Sequence, residues 1–264
     1  EPFADSSQLP TVLLSKLASE HVTVALSGDG GDEIFGGYNR YLWAEKLNGP
    51  FVSKVPLCLK RGVAGGILLI PELFIAQWFD WAKRWLRLGS SVQVPAEKLR
   101  KLAKALKSDS REALYRSLTT TCPAGELLIE VTPSNLIERH GETANVGTGS
   151  TEKMMRLDSV SYLPGDILVK VDRASMGFSL ETRAPFLDKN VVELAWKIPT
   201  KMKVRNGSGK LILKELLCQY LPKEYVYRQK RGFGFPIDKW LRGPLKEWSE
   251  ELLFGEQTKN QNYF

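Results

Sequence analysis

Apolar positions along the chain fall mostly into helical spacing. From Leu9 to Glu20 the residues Leu13, Leu14, Leu17 and Ala18 recur on one face, which predicts an amphipathic helix. His21 to Leu26 (HVTVAL) is a short β-branched run and predicts a strand. A glycine-rich turn follows at once, and helical composition then returns as far as Leu47, so residues 9–47 read as helix, strand, glycine loop and helix, half of a βα unit. From Val52 to Glu138 the pattern stays helical, cut by Pro56, Pro71, Pro95, Pro123 and Pro133. Val94 to Lys107 is its clearest amphipathic stretch, with a basic face read as solvated. Gly62 to Phe79 is apolar enough to approach a membrane span, but Pro71 and Glu72 interrupt it near the middle. A central carboxylate is costly in lipid, so two short buried helices broken at Pro71 are expected instead.

Residues 139–150, with glycines at 141, 147 and 149, predict a mobile loop and a weak boundary. Helical patterns resume at Thr151 to Leu163, Gly165 to Phe178, Asn190 to Ile198, Lys210 to Leu221 and Ile237 to Leu253. Between them lie the turn-rich segments ETRAPFLD and YRQKRGFGFP. One predicted strand among so many helical segments leaves two fold classes: all-α with a stray strand, or a predominantly helical α/β protein whose other strands lie upstream. The opening residues Glu1 to Asp5 carry no initiator Met, no basic region and no apolar core of a secretory signal. The interior of a longer chain is expected, and that favours the α/β reading.

Composition narrows the function classes. With 43% hydrophobic and 25% charged residues in 264, disordered and fibrous classes are excluded, and a chain this long needs no disulfide or metal to hold a core. Cys58, Cys122 and Cys218 are odd in number and far apart, so no disulfide framework or zinc ribbon is indicated and a reducing cytoplasm is the expected compartment. The net charge of +7 favours anionic partners without choosing among them. His21 and His140 are the two histidines, and neither H-E-x-x-H nor G-x-S-x-G occurs, so zinc-hydrolase and α/β-hydrolase chemistry have no residues to stand on.

Three segments could carry chemistry. Ser27-Gly28-Asp29-Gly30-Gly31-Asp32-Glu33 lies between the predicted strand and a helix, where glycines let backbone N–H groups face an anion and the helix start favours negative charge. Asp29 and Asp32 would repel a bare phosphate, but a divalent cation between carboxylate and phosphate removes that conflict, which points to magnesium-phosphate. The same acids also suit the first turn of a helix with no ligand at all. In Leu163 to Met176, Asp166, Lys170 and Arg173 share a helix face and suit salt-bridge support, while Asp172 lies toward the apolar side and is expected to need a buried partner such as Arg173 or Arg183. Arg228 to Pro236 is a cationic loop whose glycines would let Lys230 close over a phosphoryl group; a basic surface turn is the plain alternative. Gly207-Ser208-Gly209-Lys210 is followed by Leu211 and lacks the spacing of a P-loop, so it reads as a loop before a helix.

VALSGDGGDEIFGGYNRY, GDILVKVDRASMGFSLETRAPFLD and YLPKEYVYRQKRGFGFP, in that order, resemble the synthetase domain of the glutamine-hydrolysing asparagine synthetases, from Glu1 to about Leu253. The resemblance implies a PP-loop ATP-pyrophosphatase domain of Rossmann-like type. The family's SGGxDS pyrophosphate loop does not occur here, so residues 1–264 are expected to be the C-terminal part of that single domain, without its N-terminal strands and inactive by itself. It implies ATP and Mg as cofactors, an acyl-adenylate of aspartate, ammonia from a glutaminase domain of the same parent chain, and room for a homodimer. Ser27, Gly28 and Gly30 would then lie against the nucleotide, Asp32 would hold Mg, and Asp29 and Lys230 would be catalytic, with Arg183 anchoring the APFLD turn. Well-known members carry Glu where Asp29 stands, so another carboxylate such as a sugar acid is an alternative acceptor. A tRNA-modifying enzyme of the same superfamily and an inactive helical interaction module are the remaining alternatives; nucleic acid is the disfavoured partner and no membrane is expected.

Overall fold

The computed structural model describes residues 5–47, 54–70, 74, 96–108, 111–119, 149–228 and 236–260. The chain divides into two compact units, Glu1–Leu42 with Pro123–Phe264 and Trp43–Cys122.

In the first unit, helix α1 (Gln8–Ser19) leads into strand β1 (Val24–Leu26). A turn at Ser27–Gly30 then starts the short helix α2 (Gly31–Phe35), and α3 begins at Asn39 and runs to Leu47. The single helix expected over residues 31–47 is therefore two. Gly36 takes a left-handed conformation with φ +74, which ends α2, and its N–H bonds back to Asp32 O. A glycine adopts this conformation without the steric cost of a Cβ, so the break follows from the sequence Gly36-Gly37.

The second unit packs α4 (Leu57–Leu69) on α5 (Ala96–Leu106) and α5 on α6 (Arg111–Thr119). The apolar stretch from Gly62 was expected to be buried on both sides of Pro71. Only Ala64 of α4 is buried, Leu69 is 85% exposed, and residues 71–73 and 75–95 lie outside the described residues. No helix among the described residues is long and apolar enough to cross a membrane.

The first unit resumes with α7 (Ser150–Val160), a π-helical turn at Leu163–Ile167 and α8 (Leu168–Met176). Pro164 has no N–H to give the α-helical ladder, and the backbone wraps wider, with Leu168 N–H bonding to Leu163 O. The segment ETRAPFLD, read as turn, contains β2 (Glu181–Arg183) and a 3₁₀ turn at Pro185–Leu187. β2 pairs in parallel with β1, Ala25 opposite Thr182, and together they form a two-stranded sheet. The observed class is accordingly predominantly helical α/β, and the stray-strand alternative falls away.

Helices α9 (Lys189–Lys197), α10 (Thr200–Lys203), α11 (Leu211–Leu217) and α12 (Lys223–Val226) follow. Asp188 caps α9, accepting from the N–H groups of Asn190 and Val191. The helix expected over residues 237–253 is broken at Gly243-Pro244 into α13 (Ile237–Leu241) and α14 (Lys246–Phe254), and α15 (Glu256–Asn260) closes the described chain. Ile34 and Phe35 of α2 pack with Ala195 of α9, and Phe186, Trp196, Ile212 and Leu213 gather around them. Burying residues such as Ile and Phe is worth roughly 1.5–3 kcal/mol each, so α2, too short to persist alone, is held by its surroundings.

Candidate functional site

The glycine turn is fixed from both ends. Ser27 N–H bonds to Arg183 O at 2.7 Å, which pins the turn to β2 as the chain leaves β1. Gly30 has φ +85, and a Cβ there would lie 2.3 Å from Leu187 Cδ2. Gly28 is different, with no atom within 4 Å of where its Cβ would be. Ser27, Gly28, Asp29, Gly30 and Asp32 all line one cleft of about 680 Å³, which also takes in Glu33, Tyr38, Tyr162 and Lys170. Every site residue expected on the glycine turn therefore reaches the same cavity.

Asp32 also borders a second hollow of about 780 Å³ whose lining includes Ser208, Lys210, Lys214 and Arg228. Lys210 Nζ lies 3.0 Å from Asp32 Oδ1. Lys214 donates to Ser208 Oγ at 3.0 Å. The loop carrying these groups docks on the end of α2: Lys210 N–H bonds to Phe35 O, and a Cβ on Gly209 would lie 2.1 Å from Gly36 O. As expected, residues 207–210 are a loop before a helix; the sequence reading did not find their position beside Asp32. The left-handed residues Asn206, Gly207 and Lys210 mark a tight turn, the one local signal that could have drawn attention to it. Lys230 lies outside the described residues, while its neighbour Arg228 lines this second hollow.

The middle motif contributes Lys170 to the cleft. Its ammonium donates to Asp5 Oδ2 at 2.6 Å and Ser7 Oγ at 2.8 Å, with Asp166 3.9 Å away. Burial alone would raise the Asp5 carboxyl, but the bonds from Lys170 and Ser7 outweigh it and hold it below the usual range. Burial and the Asp5 charge raise Asp166. Asp172 was expected to need a buried partner; it is exposed on α8 and needs none. Arg183 was expected to anchor the APFLD turn, yet its side chain is 68% exposed and reaches back to Glu181 within its own strand.

The wall of the cleft carries a polar network that the sequence did not announce. Glu33, 1% exposed, accepts from Tyr38 Oη at 2.6 Å, and burial raises its pKa above the usual carboxylate value despite that bond. Burial, together with the Glu33 charge, pushes the Tyr38 hydroxyl well up, and burial with the Asp166 charge pushes Tyr162 up to about 12. Both hydroxyls therefore stay protonated at neutral pH, and Tyr38 keeps its hydrogen for the bond to Glu33. Among the described residues, no group of three or more His, Cys, Asp or Glu side chains is arranged to hold a metal ion unaided.

The arrangement pairs a glycine turn after a strand with a carboxylate that has lysines on its other side. The asparagine synthase family model matches residues 1–264, the whole chain. The chain belongs to the asparagine synthase family. It is 32% identical over 264 residues to asparagine synthetase [glutamine-hydrolyzing] 1 of Bacillus subtilis, covering 98% of this chain and 38% of that protein. Asparagine synthetase [glutamine-hydrolyzing] 3 of the same organism is 37% identical over 230 residues, and a putative asparagine synthetase of Mycobacterium tuberculosis is 31% identical over 265. The chain spans 38% and 37% of the lengths of the first and last of these. No solved structure matches it.

Proposed function

We propose that this chain is the ATP-handling part of a glutamine-fed ligase that converts a carboxylate to its amide, with aspartate as acceptor and asparagine as product. The observation that carries the reading is Asp32, which borders both the glycine-turn cleft and the basic hollow of Lys210, Lys214 and Arg228. A triphosphate there would meet lysine and arginine charge, with Ser27 lining the cleft and open space at Gly28 for its nucleoside end. Magnesium typically takes one or two protein carboxylates and fills its shell with phosphate oxygens and water. Asp32, which lines both the cleft and the basic hollow, fits that partial donor set. When bound, the ion would neutralise charge on the pyrophosphate that leaves.

In the proposed reaction an oxygen of the acceptor carboxylate attacks the α-phosphorus and the bond to the bridging oxygen breaks, giving an acyl-adenylate and pyrophosphate. Ammonia, supplied by a glutaminase domain of a longer parent chain, then attacks the acyl carbon and AMP leaves with the bonding electrons. Asp29, half-buried in the cleft, is the base assigned to the ammonium proton. Lys230 is assigned to the charge that builds on the α-phosphoryl group.

The test is product analysis on the full-length gene product. Aspartate, glutamine and Mg-ATP should give asparagine, AMP and pyrophosphate. ADP and phosphate would overturn the mechanism; AMP formation with a different carboxylate and none with aspartate would overturn only the acceptor.

A further inference from the structure

Arg40 does not line the cleft, yet two rings that do are stacked on it. Its guanidinium carbon lies 4.0 Å from the Tyr38 ring centroid and 4.8 Å from that of Tyr162. The two rings also meet edge to face, 5.8 Å apart at 74°. The edge of the guanidinium is engaged elsewhere: Nε donates to Asp158 Oδ2 at 2.7 Å. Asp158 is fully buried and accepts a second bond from Tyr41 Oη at the same oxygen. A planar guanidinium can lay its face on aromatic rings while its edge donates to a carboxylate; an ammonium can pair with the carboxylate but has no flat face to stack.

The Tyr38 hydroxyl passes this order on to the Glu33 carboxyl. Beyond the glycine turn the lining of the cleft includes Glu33, Tyr38, Tyr162 and Lys170. The cations near this end are already paired, Lys170 with Asp5 at 2.6 Å and Arg40 with Asp158 at 2.7 Å, while Asp29 and Glu33 line the same cleft, so it suits a small acceptor bearing an amino group better than a phosphate. The phosphate-facing cations, Lys210, Lys214 and Arg228, belong to the other hollow.

We infer that Arg40, locked by Asp158, is a positioning residue for the acceptor: it holds the Tyr38 and Tyr162 rings, and through Tyr38 the Glu33 carboxyl, as the surface against which the acceptor lies. This rests on the function proposed above and adds to it which residues shape the acceptor end. Arg40 touches neither substrate.

The experiment is steady-state kinetics of Arg40→Lys and Arg40→Met in the full-length protein, with ammonium as nitrogen donor so that the glutaminase plays no part. Lysine keeps a cation beside Asp158 and so protects folding; it does not restore the stack. The expected result for Arg40→Lys is an acceptor KM raised about tenfold or more, with the KM for ATP within about twofold and kcat within about threefold of wild type. Arg40→Met should show the same split, at least as large. A loss of kcat with both KM values unchanged, or equal rises in both, would overturn the inference while normal wild-type turnover leaves the proposed function standing. If wild type forms AMP only with another carboxylate, the same split is read on that acceptor. No AMP with any carboxylate would overturn both.

Discussion

Replacing Gly209 with alanine probes how the Lys210 loop seats on the end of α2. The new Cβ would lie 2.1 Å from Gly36 O, 3.2 Å from Gly36 C and 3.5 Å from Gly37 Cα, all backbone atoms with no rotamer to swing away. Ordinary contact starts at 3.4 Å, so the loop and the Gly36 turn must separate by 3.4 − 2.1 = 1.3 Å. Overpacking of that kind costs about 1–3 kcal/mol. The shift also lengthens the 3.2 Å bond from Lys210 N–H to Phe35 O, worth about 1 kcal/mol. The partly exposed Lys210 to Asp32 pair adds less than about 1 kcal/mol. The sum is roughly 2–5 kcal/mol, which for a unit of this size lowers Tm by about 4–20 °C. Thermal melts followed by circular dichroism measure it, with Gly28→Ala as control because nothing lies within 4 Å of that Cβ. A Gly209→Ala midpoint within about 2 °C of wild type would refute the docking and, with it, the placement of Lys210 beside Asp32.

The same Gly28→Ala variant should keep its Tm yet lose at least about tenfold in Mg-ATP affinity by calorimetry, because the open space at residue 28 is where the nucleotide must come close; unchanged affinity would remove Gly28 from the site. Lys203 is buried near the Trp196 ring, and burial lowers its pKa from 10.5 to about 8. The unfolded chain then binds a proton that the folded chain releases between pH 8 and 10.5, so stability rises with pH across that window. Lys203→Met removes the rise: wild type should gain on the variant by about 1–2 kcal/mol from pH 7.5 to 10, allowing for solvent screening, and a pH-independent difference in urea melts would contradict the burial of the ammonium.

What could be read from the sequence was what is local. α1, β1 and α9 each carry their own period or β-branched run, and the Ser27–Asp32 turn sits where a strand hands over to a helix. β2 escaped because Glu-Thr-Arg has no apolar alternation; it is a strand only through pairing with Val24–Leu26, far away in the chain. The break at Gly36 was open to reading from two adjacent glycines, but the helical composition that follows masked it. Lys210 was read only as part of a loop before a helix, and Arg40 was passed over, for one shared reason. Each acquires its role from a partner remote in sequence, Asp32 and Asp158 respectively, and neither a charge nor a spacing nearby distinguishes them from solvated cations.

Oxygen transfer gives the most direct test of the central claim, that the turn after β1 holds a nucleotide whose α-phosphorus is attacked by a carboxylate. The full-length protein is given aspartate labelled with ¹⁸O in its side-chain carboxyl, together with Mg-ATP and glutamine, and the AMP is examined by mass spectrometry. One labelled oxygen per AMP formed is the predicted result. AMP free of label, or label appearing in inorganic phosphate with ADP as the nucleotide product, would contradict it.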